Sequence, residues 1–177
     1  MLQGCATRVK ASATENPPPK EAFSAYGRIE VRQAMFKPGY SGSGPGLAKI
    51  QANLQVDLAN SLETWNKRPP NGRTLIIEPI VDEIQFQRVG MRIAFGPLAG
   101  SSGVLMHLKI SDTNGNVVAT PEFFQRADAM AGGFTLGVLD NLMLTRVANL
   151  ASHYIIANYS SAQGGPTGAD DKAIEVK

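Results

Sequence analysis

Residues 28–32 read Arg28-Ile29-Glu30-Val31-Arg32, residues 47–65 space Leu47, Ile50, Leu54, Leu58, Leu62 and Trp65 three or four apart, and residues 75–77 read Leu75-Ile76-Ile77. The first stretch alternates polar and apolar side chains, the period of a half-buried strand. It extends to Phe36 before Pro38 and the glycines from Gly39 to Gly46 end it. The second is one apolar stripe of an amphipathic helix. Lys67-Arg68-Pro69-Pro70 closes it, with cations at the negative end of the helix dipole and prolines that cannot continue it. The third opens a strand apolar on both faces, continued by Ile80, Ile84 and Phe86; Pro79 within it predicts an edge position or a bulge. A strand, a helix and a strand in this order form a right-handed crossover, which sets the two strands parallel.

Working toward the C-terminus, 104–110 and 117–125 read as two more strands joined by Asp112-Thr113-Asn114-Gly115-Asn116. The Asn-Gly pair supplies the positive φ angles of a tight hairpin. Residues 91–96 can add a short strand. Leu139, Met143, Val147, Leu150 and Tyr154 mark a second amphipathic helix that ends near Tyr159. Two helices with one apolar stripe each need a common surface. The expected fold is therefore α+β, a two-layer sandwich of order β-α-β-β-β-α, with a mixed four-stranded sheet and both helices on one face. Its expected limits are 23–159. Residues 1–22 read as a tether and 160–177, without periodicity, as a disordered tail.

Composition narrows the function classes. Among 177 residues, 43% are hydrophobic, enough for one domain with a core. Seventeen Lys+Arg against fifteen Asp+Glu give a net charge of +2, which makes no basic field for nucleic acid. One Cys excludes an internal disulfide, and two His with one Cys fall short of a structural zinc set. No apolar run is long enough for a membrane-spanning helix.

The N-terminus carries the sharpest signal. Met1-Leu2-Gln3-Gly4-Cys5 has the Leu-x-Gly-Cys pattern that ends a bacterial lipoprotein signal. Small residues let a peptidase hold the backbone extended, and the thiol takes a diacylglycerol through a thioether. A secretory signal also needs a basic segment and roughly 7–15 apolar residues, so these five residues read as the tail of one. Pro17-Pro18-Pro19 stiffens residues 6–22 into a spacer. Ala6 after the cysteine, rather than Asp, fits sorting to the outer membrane. The expectation is a protein lipid-anchored at Cys5 on the periplasmic side of the outer membrane.

Ile29-Glu30-Val31 through Trp65, Arg73-Thr74-Leu75-Ile76-Ile77-Glu78-Pro79, Ala99-Gly100-Ser101-Ser102, Pro121-Glu122-Phe123 and Asn141-Leu142-Met143-Leu144 together resemble a family of small bacterial lipoproteins of unknown function, over most of 27–159. In plan the chain is also similar to the curli-secretion lipoprotein, the TolB N-terminal domain and auxiliary lipoproteins of ABC-type transporters. The resemblance implies no catalytic residue and no cofactor.

Candidate chemistry is sparse. Gly42-Ser43-Gly44-Pro45-Gly46 lacks the G-x-G-x-x-G spacing, and no Gly-Lys-Ser/Thr comes after it. Gly100-Ser101-Ser102-Gly103 is not a nucleophile elbow, and His107 behind it cannot be assigned as its base. His153 reads as a surface or packing residue. Asp82-Glu83 and Asp170-Asp171 are adjacent carboxylates, which in a strand point to opposite faces. No catalytic, cofactor or metal site is expected. The least ordinary feature is two glycine-rich apolar stretches, 91–103 and 129–137, carrying Phe95, Leu98, Met130, Phe134 and Leu136. Such side chains either form a docking surface or fold under the helices into the core. Two functional classes remain. One is a non-catalytic accessory or scaffold module that meets envelope proteins, or itself, through those loops. The other is a small-ligand-binding or hydrolytic envelope protein with a cleft between sheet and helices.

Overall fold

The computed structural model describes residues 11–86, 101–128 and 136–169. Chain order is β1 (Glu15–Asn16), a 3-10 turn (Phe23–Ala25), β2 (Arg28–Val31), β3 (Met35–Phe36), α1 (Gly44–Asn66), β4 (Thr74–Gln85), β5 (Ser101–Asp112), β6 (Val117–Ala119), β7 (Glu122–Asp128), α2 (Leu136–Ala157) and β8 (Gly165–Pro166). The fold is α+β, with a mixed sheet covered by two helices. β2 and β3 both run parallel to β4, as the crossover requires; β5 is antiparallel to β4, and β6 and β7 are antiparallel to β5.

The four expected strands occupy four positions, but two of them are broken, so the sheet has six strands among the described residues. Pro79 explains the first break and corrects its own reading. It lies in β4, paired on both sides, rather than at an edge. Arg32 N donates to Ile77 O and Lys37 N to Val81 O, so the missing N–H of Pro79 falls where β2 has stopped and β3 has not begun. The interrupted strand gains a substitute partner there: Ala34 N donates to Gln51 Oε1 of α1 at 2.6 Å. The second break is at Thr120-Pro121, where Leu108 N donates to Pro121 O. In the 112–116 hairpin only Gly115 takes positive φ, at 84°. Asp112 Oδ1 accepts from Asn114 N and Asn116 N in place of a second left-handed residue.

α1 starts at Ser43, whose hydroxyl accepts from Gly46 N, with Pro45 in the first turn. Its stripe buries Ile50, Leu54 and Leu58, with Leu47, Leu62 and Trp65 at the margin. α2 buries a wider face, Met143, Leu144, Val147, Ala148, Ala151, Tyr154 and Ile155, because it packs on both α1 and the sheet. Ile29, Leu75, Ile77, Val81, Val104, Met106, Leu108, Ile110 and Phe123 complete this core. Residues alternate with these, so Ile76, Glu78, Ile80, Asp82, Leu105, His107 and Lys109 stand on the face away from the helices.

The body exceeds the expected limits of 23–159 at both ends. β1 pairs antiparallel with β8, Glu15 opposite Pro166 and Asn16 opposite Gly165. Residues 11–22 are therefore more than a tether, and the expected disorder after 160 is corrected for 160–169. Neither segment has hydrophobic periodicity; polar side chains hold both.

Candidate functional site

The expected lipidation residue, Cys5, lies outside the described residues. The chain becomes described at Ala11, which is 6% exposed. Ser12 N and Oγ both donate to Glu122 Oε2, at 2.9 and 2.6 Å. Asn16 acts as a short strand beside β7: its Nδ2 donates to Glu122 O and its Oδ1 accepts from Glu122 N, both at 2.8 Å. Thr167 returns from the other end of the chain, donating its hydroxyl to Ala13 O and accepting from Phe124 N at its carbonyl. Gly164 sits so close to Asn16 and Pro17 that a Cβ there would collide with backbone, and its φ is +81°. Buried Asn158 fixes this turn with four bonds: it accepts from Gln163 N and Gly164 N and donates to Tyr154 O and Gly164 O. Both chain ends thus cover the edge that β7 would otherwise expose.

Phe95, Leu98, Met130 and Phe134 also lie outside the described residues, as does the possible strand at 91–96; Leu136 opens α2. Register places the borders of both glycine-rich stretches at one end of the sheet, with Gln85 opposite Gly103 and Ser101 opposite Asp128. Both helix N-termini lie at this end, around a shallow cleft of about 210 Å³ lined by Ser43, Gly46, Phe86, Gly137, Asp140 and Leu144 among others. Burial raises the Asp140 carboxyl above its ordinary pKa, opposed by a hydrogen bond with Ser102. Val138 and Leu142, one turn apart on α2, are 57% and 36% exposed here.

At the opposite end Arg73 lies over the Tyr26 ring, 4.3 Å from its centre, and binds both oxygens of Glu21. The Tyr26 hydroxyl also donates to Glu21. The Arg73 bond holds Glu21 below the ordinary carboxylate range, and burial together with Glu21 pushes Tyr26 up to about 12. Trp65 stacks on Tyr159 at 4.2 Å, with Arg68 donating to the Tyr159 hydroxyl.

Sequence reading missed one pair. Asp82 is the extra residue of a bulge between Val81 and Glu83, and its Oδ2 lies 2.7 Å from His107 Nδ1. A carboxylate at Nδ1 fixes the imidazole orientation and leaves Nε2 for another partner. The pair stands on the sheet face away from the helices, beside the Glu78–Lys109 ion pair, rather than in a cleft between sheet and helices. Among the described residues, no group of three His, Cys, Asp or Glu could hold a metal ion, and no helix is long and apolar enough to cross a membrane.

No family model and no curated protein matches this sequence. Solved structures align over three quarters of it. A minor lipoprotein from Acinetobacter baumannii is 12% identical, covering 78% of this chain and 98% of its own, with a TM-score of 0.48. A hypothetical protein from Chlamydia trachomatis is 11% identical over 75% and 99%, TM-score 0.46. The PelC dodecamer from Paraburkholderia phytofirmans is 14% identical over 75% and 91%, TM-score 0.43. These likenesses are distant.

Proposed function

We propose that this chain is a non-catalytic module of a bacterial envelope, anchored by a lipid on Cys5 to the periplasmic side of the outer membrane. It serves there as an accessory or scaffold of an assembly or transport system. The Leu2-Gln3-Gly4-Cys5 pattern carries this reading. Chain length supports it: five residues lie between Cys5 and buried Ala11, an extended reach of about 20 Å at most. A lipid on Cys5 would hold the domain against the bilayer rather than on a long leash. The glycine-rich stretches with Phe95, Leu98, Met130, Phe134 and Leu136 are the proposed docking loops for other envelope proteins, with self-association as the alternative. Exposed Val138 and Leu142 beside their borders favour contact with a protein surface over exposure to water.

The test is metabolic labelling with a palmitate analogue, the chain being expressed behind a complete signal segment. Wild type is expected to label and Cys5→Ser is not; equal labelling of both overturns the reading.

A further inference from the structure

The ion pairs on the sheet face away from the helices share one arrangement. Arg28 and Arg32 flank Glu30 at 3.0 and 3.2 Å, and Lys109 meets Glu78 at 3.0 Å. Ile29 turns into the core, so Arg28, Glu30 and Arg32 share the face of Glu78 and Lys109. The three cations are 62%, 56% and 51% exposed, their two carboxylates only 31% and 33%. Glu83, opposite Leu105, and Glu122, opposite His107, are half-buried as well. Positive charge therefore stands outermost, above a layer of carboxylates. Lys and Arg stems can rest on apolar surface while their heads reach for an outside partner. Half-buried Ile76, Ile80 and Leu105 supply that surface, and Met35, opposite Ile80, is 51% exposed.

The N-terminal segment joins the body at the margin of this face. Glu122, which ends the row Met35-Ile80-His107-Glu122, accepts from Ser12 N and Oγ. From β7 through β5 and β4 to β2 the face is three strand spacings wide, about 14 Å. The extended reach from Ala11 to Cys5 is about 20 Å. A lipid on Cys5 thus keeps every strand of this face within reach of the bilayer that holds it.

We propose that this sheet face lies against the bilayer, with Arg28, Arg32 and Lys109 meeting the phosphate oxygens of anionic lipid head groups and Met35 entering between them. The proposal deepens, and rests on, the reading of a lipid anchor at Cys5. Tether length and the outermost position of the cations select a membrane as the occupant. Each Lys or Arg near an anionic surface strengthens binding about fivefold, and the attraction fades as salt screens it.

The single cysteine allows a test that does not depend on lipidation in a cell. The full chain is coupled through Cys5 to a maleimide-bearing lipid in vesicles of phosphatidylcholine, alone or mixed with phosphatidylglycerol. Its lysines are then acetylated by a water-soluble reagent and read by peptide mass. Lys109 is expected to react about fivefold more slowly on the mixed vesicles, the scale of one cation at an anionic surface. Lys49 belongs to α1, on the other side of the sheet, and should react equally on both. Molar salt should abolish the difference at Lys109. Arg28→Gln with Arg32→Gln should return Lys109 toward its rate on phosphatidylcholine. Equal Lys109 rates on the two vesicles overturn the proposal, as does slowing of Lys49 in place of Lys109. Slowing that follows coupling density on pure phosphatidylcholine would assign the face to a second copy and overturn it. Equal slowing by inorganic phosphate without vesicles would make it a free-anion site and overturn it. Because the lipid is attached chemically, palmitate labelling can fail while Lys109 is protected, and the reverse, so the two readings fail separately.

Discussion

The two ends of the helical layer are built on different principles. Where α1 and α2 finish, side-chain amides grip backbone in pairs. Asn66 accepts from Ile29 N and donates to Ile29 O, Asn71 accepts from Gly27 N and donates to Ala25 O, and Asn158 closes the turn at 163–164. Where the helices begin, Val138 and Leu142 stay exposed beside a cleft lined by Gly46 and Gly137. Directional bonds hold one arrangement and reject others, whereas apolar surface bonds to nothing in particular and gains when another apolar surface covers it. The first end keeps the chain's own segments in place; at the second, the paired grip of the Tyr40 hydroxyl on Ile84 N and O stands beside apolar side chains left in water.

The largest test breaks the gripping end. Asn158→Ala removes four hydrogen bonds from a fully buried site and strands the N–H groups of Gln163 and Gly164. A loss of roughly 2–4 kcal/mol in denaturant unfolding is expected; a change near zero would show that the turn at 163–164 holds without it.

A smaller effect sharpens the same end through pH. Glu21 titrates below its ordinary value when folded, chiefly because Arg73 bonds it. Its contribution is therefore present above the unfolded pKa near 4.5 and is lost as pH falls through the lower folded value. Glu21→Gln should cost up to about 1 kcal/mol at pH 7, the range for exposed pairs. The gap to wild type should close in acid melts near pH 2, and a gap independent of pH would contradict the pairing.

The smallest stability effect belongs to the other end. Val138→Ser with Leu142→Ser should move the melting midpoint little, within about 0.5 kcal/mol, because both side chains already face water. If this end docks, the same double change should weaken self-association or capture by an envelope partner in sedimentation experiments. Marked destabilisation would place these side chains in a packed interior and remove the contrast between the ends.

Much of the architecture was legible from apolar spacing. The stripe Ile50-Leu54-Leu58 and the parallel crossover come from period and order alone, and Met143, Val147 and Tyr154 likewise sit in the core. Proline was legible as an interruption but not as to whose: Pro79 keeps its own strand intact and leaves a gap in the neighbour, a property of the pair rather than of either sequence. The chain ends were not legible because Asn16, Asn158 and Thr167 act through single polar groups, which carry no period. The Asp82–His107 pair was hidden for a related reason. It depends on one extra residue in a ladder, and a bulge shifts the register without marking the sequence around it.

The pairing of β1 with β8 has a mechanical consequence. A pull transmitted through Ala11 would pass at once through Ser12 and Asn16 to Glu122 in β7, and through Thr14 to Thr167. The load is thus divided between a strand of the main sheet and the far end of the polypeptide before it reaches β2 or α1. Peeling the domain from this end requires several bonds to break together rather than one after another, so the joined ends act as a strain relief under such a load.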